Sequence, residues 1–429
     1  MRVPFLYAAM AFALIAVGMS QSWNVALAIL NLSLISAVMA LGVNIQWGYA
    51  GLFNVGIMGF AALGGVAAVL VAMPPVGGAW SAGGGRMALA GLALLATIGA
   101  VILARRLRRG RALATATAVI GGYALIRWLY DPAVAAIEAV DPAATGFLGG
   151  LGLPILTAWI AGGLFAAGAA WIVGKISLGL RSDYLAIATL GISEILIAVV
   201  KNEDWLTRGV KNVTGLPRPV PYEVDLQRAA WFQDLAARLG QDPVVFSGIY
   251  VKLLYALLFL VVLVILYALA ERALRSPWGR MMRAIRDNRD AAEAMGKDVT
   301  ARHLQVFVLG SAVIGIAGAM LVTLDGQFTP SSYQPLRYTF LIWVMVIVGG
   351  SGNNAGAILG AFLVWFVWIE AETAGAALIG GIANMLPAGS ALGAHLTEAA
   401  PHLRLFLMGL ILLTVLRFSP RGLIPERRR

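Results

Sequence analysis

The chain has 429 residues, 60% of them hydrophobic and 12% charged, and a net charge of +11. An ordinary soluble domain carries roughly 25% charged residues, so this chain has too few charges to cover a water-exposed surface, and membrane-spanning helices are expected instead. It has no cysteine and three histidines, which excludes disulfides and thiolate chemistry and leaves little for a metal site. We therefore expect no cofactor to be bound by this chain. The positive charge does not indicate nucleic-acid binding, because Lys and Arg in a membrane protein mainly report topology.

The first residues, Met1-Arg2-Val3 and an apolar run to Gly18, fit two interpretations. A basic end followed by a short apolar core is typical of a cleavable secretion signal. Further apolar runs follow at once, which favours an uncleaved first membrane helix.

Apolar runs of about twenty residues, the length that crosses a bilayer core, recur along the chain. They predict helices near 4–19, 24–43, 50–72, 87–104, 112–128, 153–174, 184–200, 250–270, 304–324 and 403–418, with an interrupted stretch at 339–369 and a weaker run at 374–386. The predicted fold class is all-α, a polytopic helical bundle with about 10–12 membrane spans.

The interruption in the stretch 339–369 reads Gly349-Gly350-Ser351-Gly352-Asn353-Asn354. Backbone that is broken at membrane depth is tolerated only where protein or a water-filled cavity satisfies its polar groups. The break is therefore a candidate element of a substrate pathway, at Gly349, Gly350 and Gly352. Close packing of helices is the alternative role of such small residues.

Basic residues cluster in alternate loops, with five arginines at 105–111, eight basic residues at 272–302 and five from 417 onward. Cytoplasmic loops hold such an excess, so both termini are predicted to be cytoplasmic. The even number of crossings that follows requires 339–386 to contribute two crossings, or one crossing with two re-entrant halves plus another.

Two polar segments exceed ordinary loop length, and the first of them, 201–249, is predicted to lie outside. It mixes both charge signs, and its stretch from Leu226 to Leu239 has apolar residues at helical spacing. We interpret it as a small periplasmic cap on the membrane. The chain is thus divided into N-terminal transmembrane helices at 1–175 and a C-terminal transmembrane core at 176–429.

The second polar segment, 271–303, is predicted to be cytoplasmic, like the basic tail at 417–429. Pro277 stands where a helix can start, and Gly296 is the residue type usual just past a helix end, so two short helices are expected. Two interpretations are open. A basic amphipathic stretch can rest on anionic lipid headgroups; alternatively, the small residues at 291–296 allow a helix to seat closely in the groove of a partner.

Four motifs carry a resemblance to a known family. The residues Ser276-Pro-Trp-Gly-Arg280, with Arg286-Asp-Asn-Arg-Asp-Ala-Ala-Glu-Ala-Met-Gly296, resemble the cytoplasmic coupling loop of ABC importer permeases of the branched-chain (hydrophobic) amino acid type. The segment 181–195, the Gly-rich residues 348–352 with Gly356 and Gly360, and the ending 417–424 are also similar to segments of that family.

The resemblance implies the permease subunit of an ATP-driven importer in the bacterial inner membrane, which is not an enzyme itself. Its implied partners are ABC ATPase subunits, a second related permease and a periplasmic substrate-binding protein. ATP and Mg would be bound by the separate ATPase subunits, because the chain has no Gly-x-x-x-x-Gly-Lys-Ser/Thr loop. The residues implied to meet the ATPase are Arg283, Arg286, Arg289, Ala291, Ala292, Glu293, Ala294 and Gly296.

Departures from the family pattern concern the substrate. Asn54 and Ile57 replace the Ser and His often found after the early motif Gly48-Tyr-Ala-Gly, and the region 73–152 has no counterpart. Asn54 is therefore a tentative pathway residue. Glu194 is a second, because an ionisable side chain within a span usually faces a bundle interior or cavity. Pairing with a neighbouring helix and exposure at the membrane interface are the alternatives for Glu194.

Acidic residues at the predicted outer ends of spans, Asp325, Glu370 and Glu372, are interpreted as solvated loop charge, with contact to a binding protein as the alternative. Two other protein classes were weighed. An ion-coupled secondary transporter would place paired ionisable groups at mid-membrane, and a membrane enzyme would cluster His, Asp or Glu on adjacent spans; neither pattern occurs beyond Glu194. An importer of urea or short-chain amides remains an alternative within the ABC class.

Overall fold

The structure is a computed structural model that describes residues 2–107, 110–141, 146–384, 395, 398 and 402–426. Its described residues are mostly helical. The helices are α1 (Arg2–Ser20), α2 (Trp23–Val43), α3 (Ile57–Ala72), α4 (Gly77–Ala79), α5 (Gly85–Arg105), α6 (Arg111–Glu138), α7 (Ile155–Ser177), α8 (Ser182–Asn202), α9 (Asp204–Thr207), α10 (Glu223–Arg228), α11 (Ala230–Arg238), α12 (Pro243–Arg275), α13 (Pro277–Asp287), α14 (Arg289–Ala294), α15 (Val299–Asp325), α16 (Pro335–Gly349), α17 (Asn354–Asn384) and α18 (Leu403–Phe418). Two short strands, β1 (Val213–Thr214) and β2 (Gln327–Phe328), pair antiparallel. Turns of π-helix lie at Asn44–Gly48 and Trp80–Gly84, and a 3-10 turn lies at Pro330–Ser332.

Nine helices among the described residues are long and apolar enough to cross a membrane. The predicted polytopic helical bundle is confirmed. Two further apolar helices, α3 with 16 residues and α16 with 15, are shorter. At 1.5 Å per residue they measure about 24 and 22 Å, less than a bilayer core of about 30 Å. Both adjoin irregular backbone, at 51–56 and at the Gly-rich break.

Several helix boundaries differ from the predicted ones. The helix predicted over 50–72 begins at Ile57, because Gly51 takes a positive φ of 70° and the chain is irregular to Gly56. The stretch 339–369 does break where predicted, and α16 and α17 pack as a hairpin around the break. Since α17 continues to Asn384, the weak run predicted at 374–386 is the continuation of that helix rather than a separate element; its last two residues lie outside the described residues.

The centre of the bundle is formed by α2, α3, α7 and α15, which approach closely through small residues. A Cβ placed on Gly64 of α3 would lie 2.0 Å from the backbone oxygen of Gly315 in α15. A Cβ on Gly315 would in turn lie 2.4 Å from the oxygen of Gly162 in α7. Such glycines let backbones touch, which is the usual way in which helices associate in a membrane.

The hairpin of α5 and α6, within the region 73–152, lies at the periphery. None of the residues in the most apolar part of α6 is buried, whereas 67% of the residues in the most apolar part of α15 are buried. The hairpin contacts the rest of the bundle near one end, where Trp205 packs against the buried cluster that includes Ile137, and Tyr130 donates a hydrogen bond to Glu203. Its exposed apolar surface is suited to lipid.

The segment 201–249 covers one end of the bundle, which we call the cap end. Phe232 of α11 is fully buried and stacks on Phe246 of α12 at 5.1 Å between ring centroids. Pairing of Val213 with Phe328 ties the segment to the end of α15. The helix predicted from the spacing between Leu226 and Leu239 is instead two helices, because the chain is extended at Ala229. We call the opposite end, with α13 and α14, the coupling end.

Candidate functional site

The predicted pair of short helices at the coupling end is present. α13 begins at Pro277 and turns Met282 and Ile285 inward, where both are buried. Asn288 begins α14 by accepting a hydrogen bond on its side chain from the backbone N–H of Ala291 at 3.0 Å. Gly296 follows the end of α14 with a φ of +75°, a conformation that glycine adopts without strain.

Three of the predicted coupling residues pack against the rest of the bundle rather than facing outward. The guanidinium of Arg286 donates a hydrogen bond to the backbone oxygen of Gly48 and forms an ion pair with Glu426 at 3.0 Å. Arg283 donates to the backbone oxygen of Leu274 at 3.4 Å, and Ala292 is buried. These side chains fasten the coupling helices to the bundle, and their predicted contact with an ATPase stays a prediction.

The other predicted coupling residues form an exposed face, which we call the α14 face. It consists of Arg289, Ala291, Glu293, Ala294 and Gly296. Arg289 and Glu293 form an ion pair at 3.0 Å with both side chains 47% exposed, a pair that contributes little to stability. Met295 at the tip is 79% exposed. An exposed methionine beside small residues suits an adaptable apolar contact with another protein.

A chain of buried amide groups connects the coupling end to the Gly-rich break. The Asn44 amide nitrogen donates to Asn354 Oδ1 at 2.9 Å, and Asn44 Oδ1 accepts from the backbone N–H of Gly352 at 2.9 Å. The Asn354 amide nitrogen donates to Glu271 Oε1 at 3.0 Å. Since Glu271 lies in the last two turns of α12, which leads directly into α13, the network joins the coupling segment to the end of α2 and to α17. Asn44 was not among the residues predicted from the sequence, where the available signal was an amide side chain within an apolar span.

The Gly-rich break packs against the C-terminal tail. A Cβ on Gly349 would lie 2.0 Å from the backbone oxygen of Gly356, and Gly350 takes a φ of +119°. The backbone N–H of Ile424 donates to the oxygen of Gly349 at 2.9 Å. A Cβ on Gly352 would lie 3.0 Å from the Glu426 carboxylate. The break therefore lies at the coupling end, where close packing is evident, and ligand contact at these glycines stays a prediction.

Asn54 is fully buried in the loop before α3. Its amide nitrogen donates to Gln46 Oε1 at 2.9 Å, and its Oδ1 accepts from the backbone N–H of Gly56 at 2.8 Å. The Trp343 indole donates to its backbone oxygen at 3.2 Å. These bonds hold the irregular start of α3, and the pathway role of Asn54 stays a prediction.

Glu194 lies on the exposed side of α8. The opposite side of this helix packs on α3, where Ser193 Oγ accepts from the backbone N–H of Gly59 at 2.8 Å. In the described part of the chain no side chain pairs with the Glu194 carboxylate. Glu194 is the thirteenth of 21 helical residues, which places it about 18 Å along a helix that is long enough to span the membrane. An exposed carboxylate at such a depth is costly in lipid and indicates contact with protein or water.

Comparison with known proteins gives one family. The family described as "Branched-chain amino acid transport system / permease component" matches residues 25–416. The chain is 31% identical over 219 residues to the high-affinity branched-chain amino acid transport system permease protein LivM of Escherichia coli K12, a match that covers 50% of each chain. It is 27% identical over 279 residues to the probable branched-chain amino acid transport permease protein LivM of Methanocaldococcus jannaschii, covering 65% of this chain and 70% of the relative.

A more distant relative carries a different name. The fructose import permease protein FrcC of Rhizobium meliloti is 29% identical over 109 residues, covering 24% of this chain and 30% of the relative. The chain spans about half the length of the enterobacterial LivM relatives that it matches. No solved structure matches the chain.

Proposed function

The chain belongs to the permease family of branched-chain amino acid transport systems, and from this premise we propose that it is the membrane subunit of an ATP-driven importer of branched-chain or other hydrophobic amino acids. It is an integral membrane protein of a transport family and not an enzyme. The bacterial inner membrane is its proposed location, with both termini in the cytoplasm. The observation that carries the proposal is the α14 face, which stands exposed on helices that are fastened to the bundle.

The α14 face docks an ABC ATPase subunit that binds ATP and Mg. Its small residues and Met295 are exposed, while Arg286 and the amide network hold the helices to the Gly-rich break and the start of α3. Motion imposed on α13 and α14 by the ATPase therefore passes into the bundle through bonded groups rather than through a mobile loop.

The exposed side of α8 faces a second, related permease subunit, and the pathway runs between the two chains. Glu194 supports this arrangement, because an exposed carboxylate in the middle of a span is stabilised by water or polar protein rather than by lipid. A periplasmic binding protein delivers the amino acid at the cap end. Replacement of Glu194 by Leu is expected to lower uptake at least about tenfold without loss of folded protein. If the side chain faced lipid, uptake would stay unchanged.

Affinity purification of the tagged chain in mild detergent tests the docking. The wild type is expected to co-purify with an ATPase that contains a phosphate-binding loop and with a second permease, both identified by mass spectrometry. Glu293→Arg is expected to lose the ATPase, because it places like charge beside Arg289 and projects a long side chain from the face. Asp225→Arg, with the same charge change on exposed α10 at the cap end, is the matched control and keeps the ATPase.

A homo-oligomer that lacks an ATPase in both preparations would contradict the proposal. An ATPase retained equally by Glu293→Arg and Asp225→Arg would contradict docking on the α14 face.

A further inference from the structure

A cavity of about 280 Å³ opens at the cap end and reaches into the bundle between α2, α3, α15, α16 and α17. We call it the cap-end chamber. Its lining on α16 runs from Tyr338 to Met345, a length of about 10 Å along the helix. Binding pockets begin near roughly 300 Å³, and water occupies about 30 Å³ per molecule, so the chamber suits a ligand of about ten non-hydrogen atoms. A sugar oligomer or a peptide would exceed it.

The wall of the chamber is apolar along its depth. Ile35 and Met39 of α2, Met58 of α3 and Ile342 and Met345 of α16 line it, and all are buried within the chain. Methionines fit side chains of varied branched shape, because the thioether is flexible and polarisable. The wall therefore suits a branched aliphatic group.

Among the described residues that line the chamber, Asp325 at the mouth is the one charged side chain, and none is basic. Asp325, interpreted from the sequence as solvated loop charge, is exposed and also lines this cavity. Within the described residues its carboxylate has no hydrogen bond or ion pair. Arg218, whose Nη2 would lie 3.6 Å from a Cβ on Gly326, pairs with Glu223 at 3.0 Å instead. Asp325 also ends α15, where the helix dipole disfavours a negative charge.

Two hydroxyl groups beside Asp325 also lack partners. Tyr333 and Thr329 line the chamber, and their side-chain oxygens are buried without a hydrogen bond within the described chain. Burial and the neighbouring Asp325 carboxylate raise the pKa of Tyr333 well above its ordinary value, so the hydroxyl stays protonated and can donate. Buried polar groups usually have partners, so two unpaired buried hydroxyls beside the exposed Asp325 carboxylate in one cavity indicate a ligand.

We propose that the cap-end chamber is a binding site, within a single chain, for a small branched aliphatic molecule with a protonated amine, of the class of hydrophobic amino acids. The ammonium group binds Asp325, the carboxylate accepts hydrogen bonds from Tyr333 and Thr329, and the aliphatic side chain lies against Met58 and Met345. The choice of an amino acid rests on the proposed function. The site differs from the pathway proposed along α8, because it needs no second permease subunit.

Equilibrium binding of radiolabelled leucine to the purified full-length chain tests the site. Nanodiscs of phosphatidylcholine and phosphatidylglycerol exclude a lipid headgroup as the source of a primary amine. We expect saturable binding with one leucine per chain. Asp325→Asn should weaken it roughly 10- to 100-fold, the range of a charge-assisted hydrogen bond. Asp225→Asn, which alters a carboxylate at the same end outside the chamber, should leave the affinity unchanged.

Two competing ligands and a substitution that fills the chamber test the proposed contacts separately. Isoamylamine keeps the amine and the branched group and should displace leucine, whereas 4-methylpentanoate, which lacks the amine, should not. Ile342→Trp should abolish binding by occupying the chamber, and an unaltered elution profile would show that it folds. The isosteric Asp325→Asn keeps the test valid if Ile342→Trp does not fold.

Uptake of leucine into proteoliposomes by the complex that co-purifies with the tagged chain separates this inference from the proposed function. ATP-driven uptake together with no saturable binding, or with binding that Asp325→Asn leaves unchanged, would overturn the chamber and leave the importer standing. Binding that depends on Asp325, together with no ATP-driven uptake by the reconstituted complex of the chain, the ATPase and the second permease, would support the chamber and contradict the importer.

Discussion

Two clusters of buried polar groups, the asparagines of the coupling end and the hydroxyls of the cap-end chamber, differ in whether they have hydrogen-bond partners. At the coupling end, Asn44, Asn54 and Asn354 have every buried side-chain nitrogen and oxygen bonded within the chain. At the cap end, the hydroxyls of Tyr333 and Thr329 are buried without a partner. A bonded group stabilises the fold, whereas an unbonded one costs stability unless a ligand pairs with it. The contrast supports the proposed transmission of motion at the first cluster and the proposed recognition of a ligand at the second.

The largest effect is expected from cutting the coupling-end network. Asn44→Leu leaves the Asn354 carbonyl oxygen and the Gly352 N–H without their partners, at a cost of about 2–5 kcal/mol. Thr329→Val is the matched control, because valine has nearly the size of threonine and the hydroxyl that is removed has no hydrogen-bond partner within the described residues. It should change stability by less than about 0.5 kcal/mol. Thermal unfolding followed by size-exclusion chromatography measures both. Equal losses of stability in Asn44→Leu and Thr329→Val would contradict the contrast between paired and unpaired polar groups.

A smaller effect is expected from releasing α13. Arg286→Ala frees the oxygen of Gly48 and the Glu426 carboxylate, and should lower stability by about 1–3 kcal/mol. Arg289→Ala breaks only an exposed ion pair and should cost less than about 0.5 kcal/mol. Arg286→Ala keeps the α14 face, so the ATPase should still co-purify with that variant. If Arg289→Ala proved the more destabilising variant, the inward and outward sides of the coupling segment would have been assigned wrongly.

The smallest change in stability is expected at the cap end. Tyr333→Phe removes an unpaired hydroxyl and should leave thermal stability unchanged or raise it by up to about 1 kcal/mol. The same substitution should weaken leucine binding several-fold, because a donor to the ligand carboxylate is lost. A marked loss of stability would mean that this hydroxyl supports the fold, and the contrast between the two ends would disappear.

Hydropathy predicted most helices, because a span needs a long apolar run wherever it lies. It misplaced the start of α3, because that start depends on the hydrogen bond that Asn54 donates to Gln46 Oε1 and the one that it accepts from the backbone N–H of Gly56, and hydropathy does not represent such bonds. The continuation of α17 through the weak run was likewise missed, since the Gly and Ala residues there lower hydropathy without ending the helix.

The position of the coupling segment could be predicted from the sequence, but the direction in which each of its side chains points could not. Arg286 follows Met282 by one helical turn, on the buried side of α13, and that spacing was the available signal for an inward arginine. The cap-end chamber could not be predicted, because its lining comes from segments hundreds of residues apart, and Asp325 alone resembles any charge at a helix end.

ATP-driven leucine uptake by the reconstituted complex is the most direct test of the central claim. Wild type and Asp225→Arg are expected to accumulate leucine only when ATP is supplied on the side of the membrane that carries the coupling end. Glu293→Arg is expected to fold but to accumulate no leucine, because it does not bind the ATPase. Uptake that is driven by an ion gradient, independent of ATP and equal in all three proteins, would contradict the account and identify a secondary transporter.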